Sequence, residues 1–187
     1  KLQACHQLRQ QLGFGPNKPT NSYRLVHGEG DNLPGLIIDI YNDCAVIQAH
    51  SLGMYNSINH IAEALEQLEA LPLNTIYNKS AAAMHGTVDE DGFLLGDNPE
   101  TIAQENGLKF KVNWVTGQKT GFFLDQRDNR DLLRQFSENK SVGEDLHLPF
   151  FGARSPVLCV MDAFSNQVYS NSQLQDLSPI TWKEMNN

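Results

Sequence analysis

Apolar residues recur with two different periods along this chain. Leu2, Cys5, Leu8 and Leu12 fall at helical spacing and Gly13 follows as a stop, so residues 1–12 read as a helix. Residues 13–20, rich in Gly, Pro and Asn, read as a loop. From Tyr23 the pattern becomes that of strands. A short, partly alternating run covers 23–27, and a turn-rich stretch covers 28–35. A β-branched apolar run covers 36–41, Asn42 and Asp43 make a turn, and 45–49 pairs back. Ile58, Ile61, Ala62, Leu65 and Leu68 form a helical stripe, which predicts one helix over 54–71 with Pro72 as its stop. Strands are predicted over 74–78, 93–95, 100–105 and 108–114, with Asn106 and Gly107 as a type I′ hairpin turn. A helix over 125–136 would carry Leu132, Leu133 and Phe136 on one face. Past Val142 the periodicity fades: 146–151 and 157–161 read as short strands, and 166–178 is rich in Asn, Gln and Ser.

Composition narrows the classes. The chain has 187 residues, 40% of them hydrophobic and 19% charged, as expected for one medium or two small globular domains. No run of 18 apolar residues and no secretory leader is visible, which points to a cytoplasmic protein without a membrane partner. Acids outnumber bases 22 to 14, giving a net charge of −8. An RNA-directed role would therefore need a local basic patch or a separate RNA-binding domain. Cys5, Cys44 and Cys159 lie far apart with no C-x-x-C, so neither a zinc site nor a disulfide framework is suggested, and buried free thiols are expected. The six histidines lack metal-ligand spacing, and His27 and His85, which have neighbouring glycines, fit turns as well as chemistry.

Two clusters could carry chemistry. In the first, running from Arg24 to Tyr41, three glycines and a proline make tight turns ahead of a buried strand. Glu29, Asp31 and Asp39 could form a metal or acid–base site, but carboxylates beside glycines more often cap turns, and turn capping is the reading favoured here. In the second, Gly117 and Gly121 bracket Lys119 and Thr120, the rings of Phe122 and Phe123 follow, and a helix start carries Asp125, Gln126, Arg127, Asn129 and Arg130. The order of a Walker phosphate loop is absent. Asp125 stands where an N-cap is wanted, and a helix start rich in amides and cations can hold a carboxylate or phosphate. A capped amphipathic helix with solvated charges explains the same residues equally well.

Together the two clusters resemble the large-subunit (23S) rRNA cytosine-C5 methyltransferases, class I S-adenosylmethionine enzymes with an N-terminal PUA domain. The resemblance runs from about Leu2 to Val142, and the fourteen residues of 117–130 stand in family-like order. It implies a helix and linker over 1–20, a central α+β domain over 21–115, and over 116–142 the truncated start of a Rossmann-like α/β methyltransferase domain. It implies S-adenosylmethionine as cofactor and large-subunit rRNA as partner. Lys119, Thr120, Phe122, Asp125, Gln126 and Arg130 become the expected residues of the cofactor and substrate cleft, with Gln126 and Arg130 nearest the cofactor's amino-acid end.

After Val142 the resemblance stops. A strand and a glycine-rich turn approaching the cofactor are expected there. The chain instead has residues 143–152 without such a turn, and no G-x-G follows. Attack on C6 of cytosine normally needs a Cys thiolate. Cys159 lacks a preceding proline, Cys5 and Cys44 belong to other elements, and no catalytic residue is assigned. Two readings stay open. Either residues 143–187 are a divergent, aberrant tail on a methyltransferase fragment, or the chain is a non-catalytic RNA- or protein-binding module derived from such enzymes.

Overall fold

Five strands form one mixed sheet in sequence order: β1 (Ser22–His27), β2 (Leu36–Tyr41), β3 (Cys44–Ala49), β4 (Thr75–Asn78) and β5 (Gly92–Leu95). The computed structural model describes residues 1–84 and 90–137, with the strands at 150–151, 159–162, 167–169 and 180–181 beyond them. Connection length decides strand direction. Only Asn42 and Asp43 separate β2 from β3, and Asn42 takes the left-handed conformation (φ 55°) that a tight hairpin needs, so this pair is antiparallel. Between β3 and β4 the chain has room for α2 (Leu52–Asn56) and α3 (Ile58–Glu66), and these two strands run parallel.

Side-chain alternation then assigns the two faces. Tyr23 and Leu25 of β1, Leu36, Ile38 and Ile40 of β2, Ala45 and Ile47 of β3 and Ile76 of β4 share one core with Ile58, Ala62 and Leu65 of α3. Each branched side chain fully buried in this way contributes about 1.5–3 kcal/mol. Cys5, on α1 (Leu2–Gln11), joins the same core. The first helix is therefore part of the sheet domain, held also by Arg9, which donates from Nε to the Arg24 carbonyl at 2.9 Å and pairs with Asp31 at 2.6 Å. The opposite face of β2 carries Asp39 and Tyr41, which are buried too. Burial on both faces explains why this strand reads as a continuous apolar run rather than a clean alternation.

A separate hairpin, β6 (Glu100–Glu105) with β7 (Leu108–Asn113), turns on Asn106 (φ 50°) and Gly107 (φ 81°), as the Asn-Gly signal requires. Its backbone is tied to the start of β1: Asn21 donates its N–H to the Gln104 carbonyl at 2.9 Å, and the Gln104 N–H donates to Asn21 Oδ1 at 2.6 Å.

The chain divides into two compact units, residues 1–124 and 125–187. The loop after β7 thus packs with the first unit. At the boundary a 3₁₀ turn (Leu124–Gln126) leads into α4 (Arg127–Ser137) of the second. The described strands of that unit, β8 (Phe150–Phe151), β9 (Cys159–Asp162), β10 (Gln167–Tyr169) and β11 (Ile180–Thr181), pair antiparallel in the order β11-β10-β9-β8.

Three expectations need correction. The single helix expected over 54–71 is two helices and a turn. Ser51 caps the first, accepting from the Met54 N–H, and Ser57, which donates to the Gly53 carbonyl at 3.0 Å, separates them. The second ends at Glu66, well short of Pro72, and Leu71 turns into the core. The α-helix expected from Asp125 begins at Arg127, with Asp125 inside the 3₁₀ turn, and Leu132, expected on its apolar face, is 49% exposed. The strand expected to reach Trp114 stops at Asn113, where the Trp114 N–H donates to the Pro99 carbonyl outside the ladder. His85 and residues 143–149 and 152–158 lie outside the described residues. Among those described, no helix is long and apolar enough to cross a membrane.

His6 gives the fold a measurable pH response. The imidazole is 2% exposed on α1, and burial pulls its pKa below the usual 6.5, with the Ala70 backbone partly opposing. The folded state resists a proton that the unfolded chain accepts, so stability is complete above pH 6.5, falls as the pH drops below it, and levels off below the depressed folded value. Urea titrations at pH 7.5 and 5.5 should show a loss of stability at the lower pH, and His6→Leu should make that loss smaller.

Candidate functional site

The face of the sheet opposite the core holds a buried polar network centred on Asp39. Its carboxylate is 1% exposed and accepts from Arg24 Nε at 2.8 Å and Nη2 at 3.1 Å, a bidentate pair. Thr120 donates its hydroxyl to the second carboxylate oxygen at 2.6 Å. A carboxylate can only accept, so the Thr120 proton is committed there, and the Tyr41 hydroxyl, 2.7 Å away, donates to Thr120. Burial, and next the Asp39 charge, push the Tyr41 phenol well above 10, which keeps it a donor. Register explains how distant residues meet: Arg24 stands directly opposite Asp39 across β1 and β2. A bulge between Arg24 and Val26 then returns Val26 to the core.

This network fastens the loop at 117–121. A Cβ on Gly117 would lie 2.3 Å from the Asn113 carbonyl oxygen, and Gly121 has φ +124° with the same oxygen 3.1 Å from where a Cβ would sit. Both bracketing glycines are thus required by close backbone approach. From beneath, the buried Lys79 ammonium donates to the Trp114 carbonyl and, at 2.5 Å, to the Gly117 carbonyl. Desolvation pulls its pKa below 10.5, partly opposed by Asp91. Lys79 drew no attention in the sequence, because a lysine after a strand reads as a surface charge. Its one legible signal was its place directly after the strand predicted over 74–78.

The six residues expected to line the cleft occupy different settings. Lys119 is exposed, has the left-handed φ of 51°, and holds its ammonium 4.3 Å from the centre of the Phe123 ring. Thr120 is buried in the Asp39 network, and Phe122 is buried with its ring 5.0 Å from that of Phe110. In the second unit Asp125 is exposed and accepts from Gln126 at 3.4 Å. Gln126 is half-buried and accepts from Asn129 at 2.8 Å, and Arg130 is buried.

The three carboxylates of the first cluster part company. Asp31 caps the turn at 27–31, accepting from the His27 N–H at 2.7 Å, as favoured above. Asp39 departs from that reading, because the pleat places it inside the sheet, where Arg24 pairs with it. Glu29 is exposed. Among the described residues no group of His, Cys, Asp or Glu could hold a metal ion. Cys5 and Cys44 are buried free thiols. Desolvation raises both thiol pKa values, helped by Asp31 at Cys5 and by Asp43 at Cys44, so neither forms a thiolate readily.

This mixed α/β architecture is shared with S-adenosylmethionine-dependent methyltransferases. A solved structure of a Streptococcus mutans protein assigned to that class superposes with a TM-score of 0.59 at 26% identity, covering 76% of this chain and 35% of that one. SMU.776, assigned as a methyltransferase and solved with S-adenosylhomocysteine, matches with the same values. In sequence, the chain is 40% identical over 147 residues to ribosomal RNA large subunit methyltransferase I of Aliivibrio fischeri, covering 76% of this chain and 36% of the relative. It is 40% identical over 139 residues to a Methanocaldococcus jannaschii protein assigned as a ribosomal RNA large subunit methyltransferase, covering 73% and 34%. The homologues are thus large-subunit rRNA methyltransferases, and this chain spans about a third of their length. No protein-family model matches it.

Removing the Asp39 carboxylate should expose how much the loop depends on it. Breaking a buried ion pair costs about 3–5 kcal/mol, discounted here because the Arg24 side chain is 37% exposed. Asp39→Ala should lose about 2–3 kcal/mol in urea unfolding, with faster amide exchange at Thr120 and Gly121. Thr120→Val, which leaves Asp39 and Tyr41 each short of a partner, should cost about 1–3 kcal/mol.

Proposed function

We propose that this chain forms part of an S-adenosylmethionine-dependent methyltransferase that acts on large-subunit rRNA. The observation that carries the reading is the 40% identity to large-subunit rRNA methyltransferases across three quarters of the chain. The cofactor, when bound, supplies an electrophilic methyl group on a sulfonium. The methyl acceptor in this reading is C5 of a cytosine, and a PUA domain belongs to the whole protein.

Segment 119–130 lines the cofactor and substrate cleft in this proposal. Gln126 and Arg130 serve the cofactor's amino-acid end, where an amide and a guanidinium suit a carboxylate. The exposed carboxylate of Asp125 suits hydroxyl or ammonium donors. Thr120 and Phe122 are buried, so their part is to hold Lys119 and the loop in place. No catalytic thiolate is assigned to Cys5 or Cys44, whose burial opposes ionisation.

A chimera provides the test. Residues 1–142 of this chain would replace the matching segment of the Aliivibrio fischeri enzyme, in a host lacking that activity. Mass spectrometry of nuclease-digested 23S rRNA should then show the methylated nucleotide, with the methyl on cytosine C5. A chimera that is folded and binds S-adenosylhomocysteine but leaves the rRNA unmodified overturns the reading. Gln126→Ala in the same chimera should weaken S-adenosylhomocysteine binding by roughly tenfold, the equivalent of about 1.4 kcal/mol.

A further inference from the structure

A pocket of about 470 Å³ opens on the first unit, between the ends of β1, β2 and β3 and the loop at 117–121. Its size is within the range that holds small ligands, roughly 300–1,000 Å³. Three basic side chains line it from separate parts of the chain: Arg24 from β1, His50 just after β3 and Lys119 from the loop. Gln48 adds an amide, and Ile37 adds an apolar surface. Glu29 is the one acid among the lining residues.

Two of the three basic groups are held in place beforehand. The Arg24 guanidinium is fixed by its bidentate bond to Asp39, which offsets its charge and leaves it a positioned hydrogen-bond donor. Lys119 sits in the left-handed conformation, unusual for a residue with a side chain, and it persists because the flanking Gly117 and Thr120 are pinned by Lys79 and Asp39. The Phe123 ring, 4.3 Å from the ammonium, holds the end of the side chain.

We infer that this pocket binds one nucleotide of single-stranded RNA, with its phosphodiester held by Arg24, His50 and Lys119. The inference rests on the rRNA reading above and names where the first unit grips that substrate. The mixed lining favours a nucleotide over a bare anion. Basic groups suit the phosphate, the partly exposed Ile37 suits the flat face of a base, and the Glu29 carboxylate can accept from a ribose 2′-hydroxyl while repelling a second phosphate. In a chain of net charge −8 the overall field repels RNA, so attraction must come from a local set of this kind.

Fluorescence anisotropy of a labelled single-stranded oligoribonucleotide with the full chain tests this. Lys119→Asn removes the charge with a residue that tolerates positive φ, and His50→Gln removes the imidazole. Each should weaken binding roughly fivefold and lower the steepness of log affinity against log salt by about 0.7 for Lys119→Asn, with unchanged thermal melting. Glu29→Gln should narrow the preference for RNA over the matching DNA oligonucleotide. No binding by the parent chain, or equal binding by parent and both variants, overturns the inference. Displacement of the oligonucleotide by S-adenosylhomocysteine also overturns it, because the anion held is then the cofactor's carboxylate. The enzyme reading fails separately: a chain that binds RNA through Lys119 while its chimera leaves rRNA unmodified keeps this site and loses the methyltransferase.

Discussion

A carboxylate with almost no contact with water sits in the middle of the sheet, and the arrangement of the first unit follows from what it requires. Asp39 could remain charged there only with a cation and further donors supplied by the protein. Arg24 from the neighbouring strand and Thr120 from a loop far along the chain meet that need, and Tyr41 completes the set. Meeting it fixes three things at once: the pairing of β1 with β2, the place of the loop on the sheet, and the direction of the Arg24 head. A hydrophobic residue at position 39 could pack equally well but would specify none of these.

Most of the fold was legible because its strands obey a simple period. The stretch 36–41 and the Asn-Gly turn at 106–107 read directly from residue type, since a short β-branched apolar run between turns and positive φ have few other solutions. The helices were harder. Ile58, Ile61, Ala62, Leu65 and Leu68 keep helical spacing past the true end of α3, because the turn that follows also points Leu68 and Leu71 at the core. Periodicity reports which residues are buried, and a turn can bury them as well as a helix can.

The loop at 117–121 was legible as a segment and not as a geometry. Two glycines around Lys119 and Thr120 marked a special loop, yet nothing local told that Thr120 points inward to a carboxylate 81 positions away while Lys119 points outward. Asp39 was mistaken for a turn cap because glycines and Asp31 stand near it in sequence, whereas the pleat carries it to the middle of a strand. Lys79 was invisible for a related reason: its burial comes from Trp114 and Gly117, which arrive only through tertiary packing.

The parallel pairing of β3 with β4 has a consequence for how the chain reaches this state. Strands β1, β2 and β3 are joined through nearby pairings, so they can assemble early as a meander. β4 cannot add to its edge until α2 and α3 have crossed over, and closing that longer connection costs entropy before any contact repays it. During that interval the outer edge of β3, with Cys44, Ala45, Val46 and Ile47, is an unpaired apolar strand able to accept a strand from another molecule. The rate of the crossover therefore sets how long each new chain is exposed to aggregation, and α3 protects yield during synthesis as well as stability afterwards.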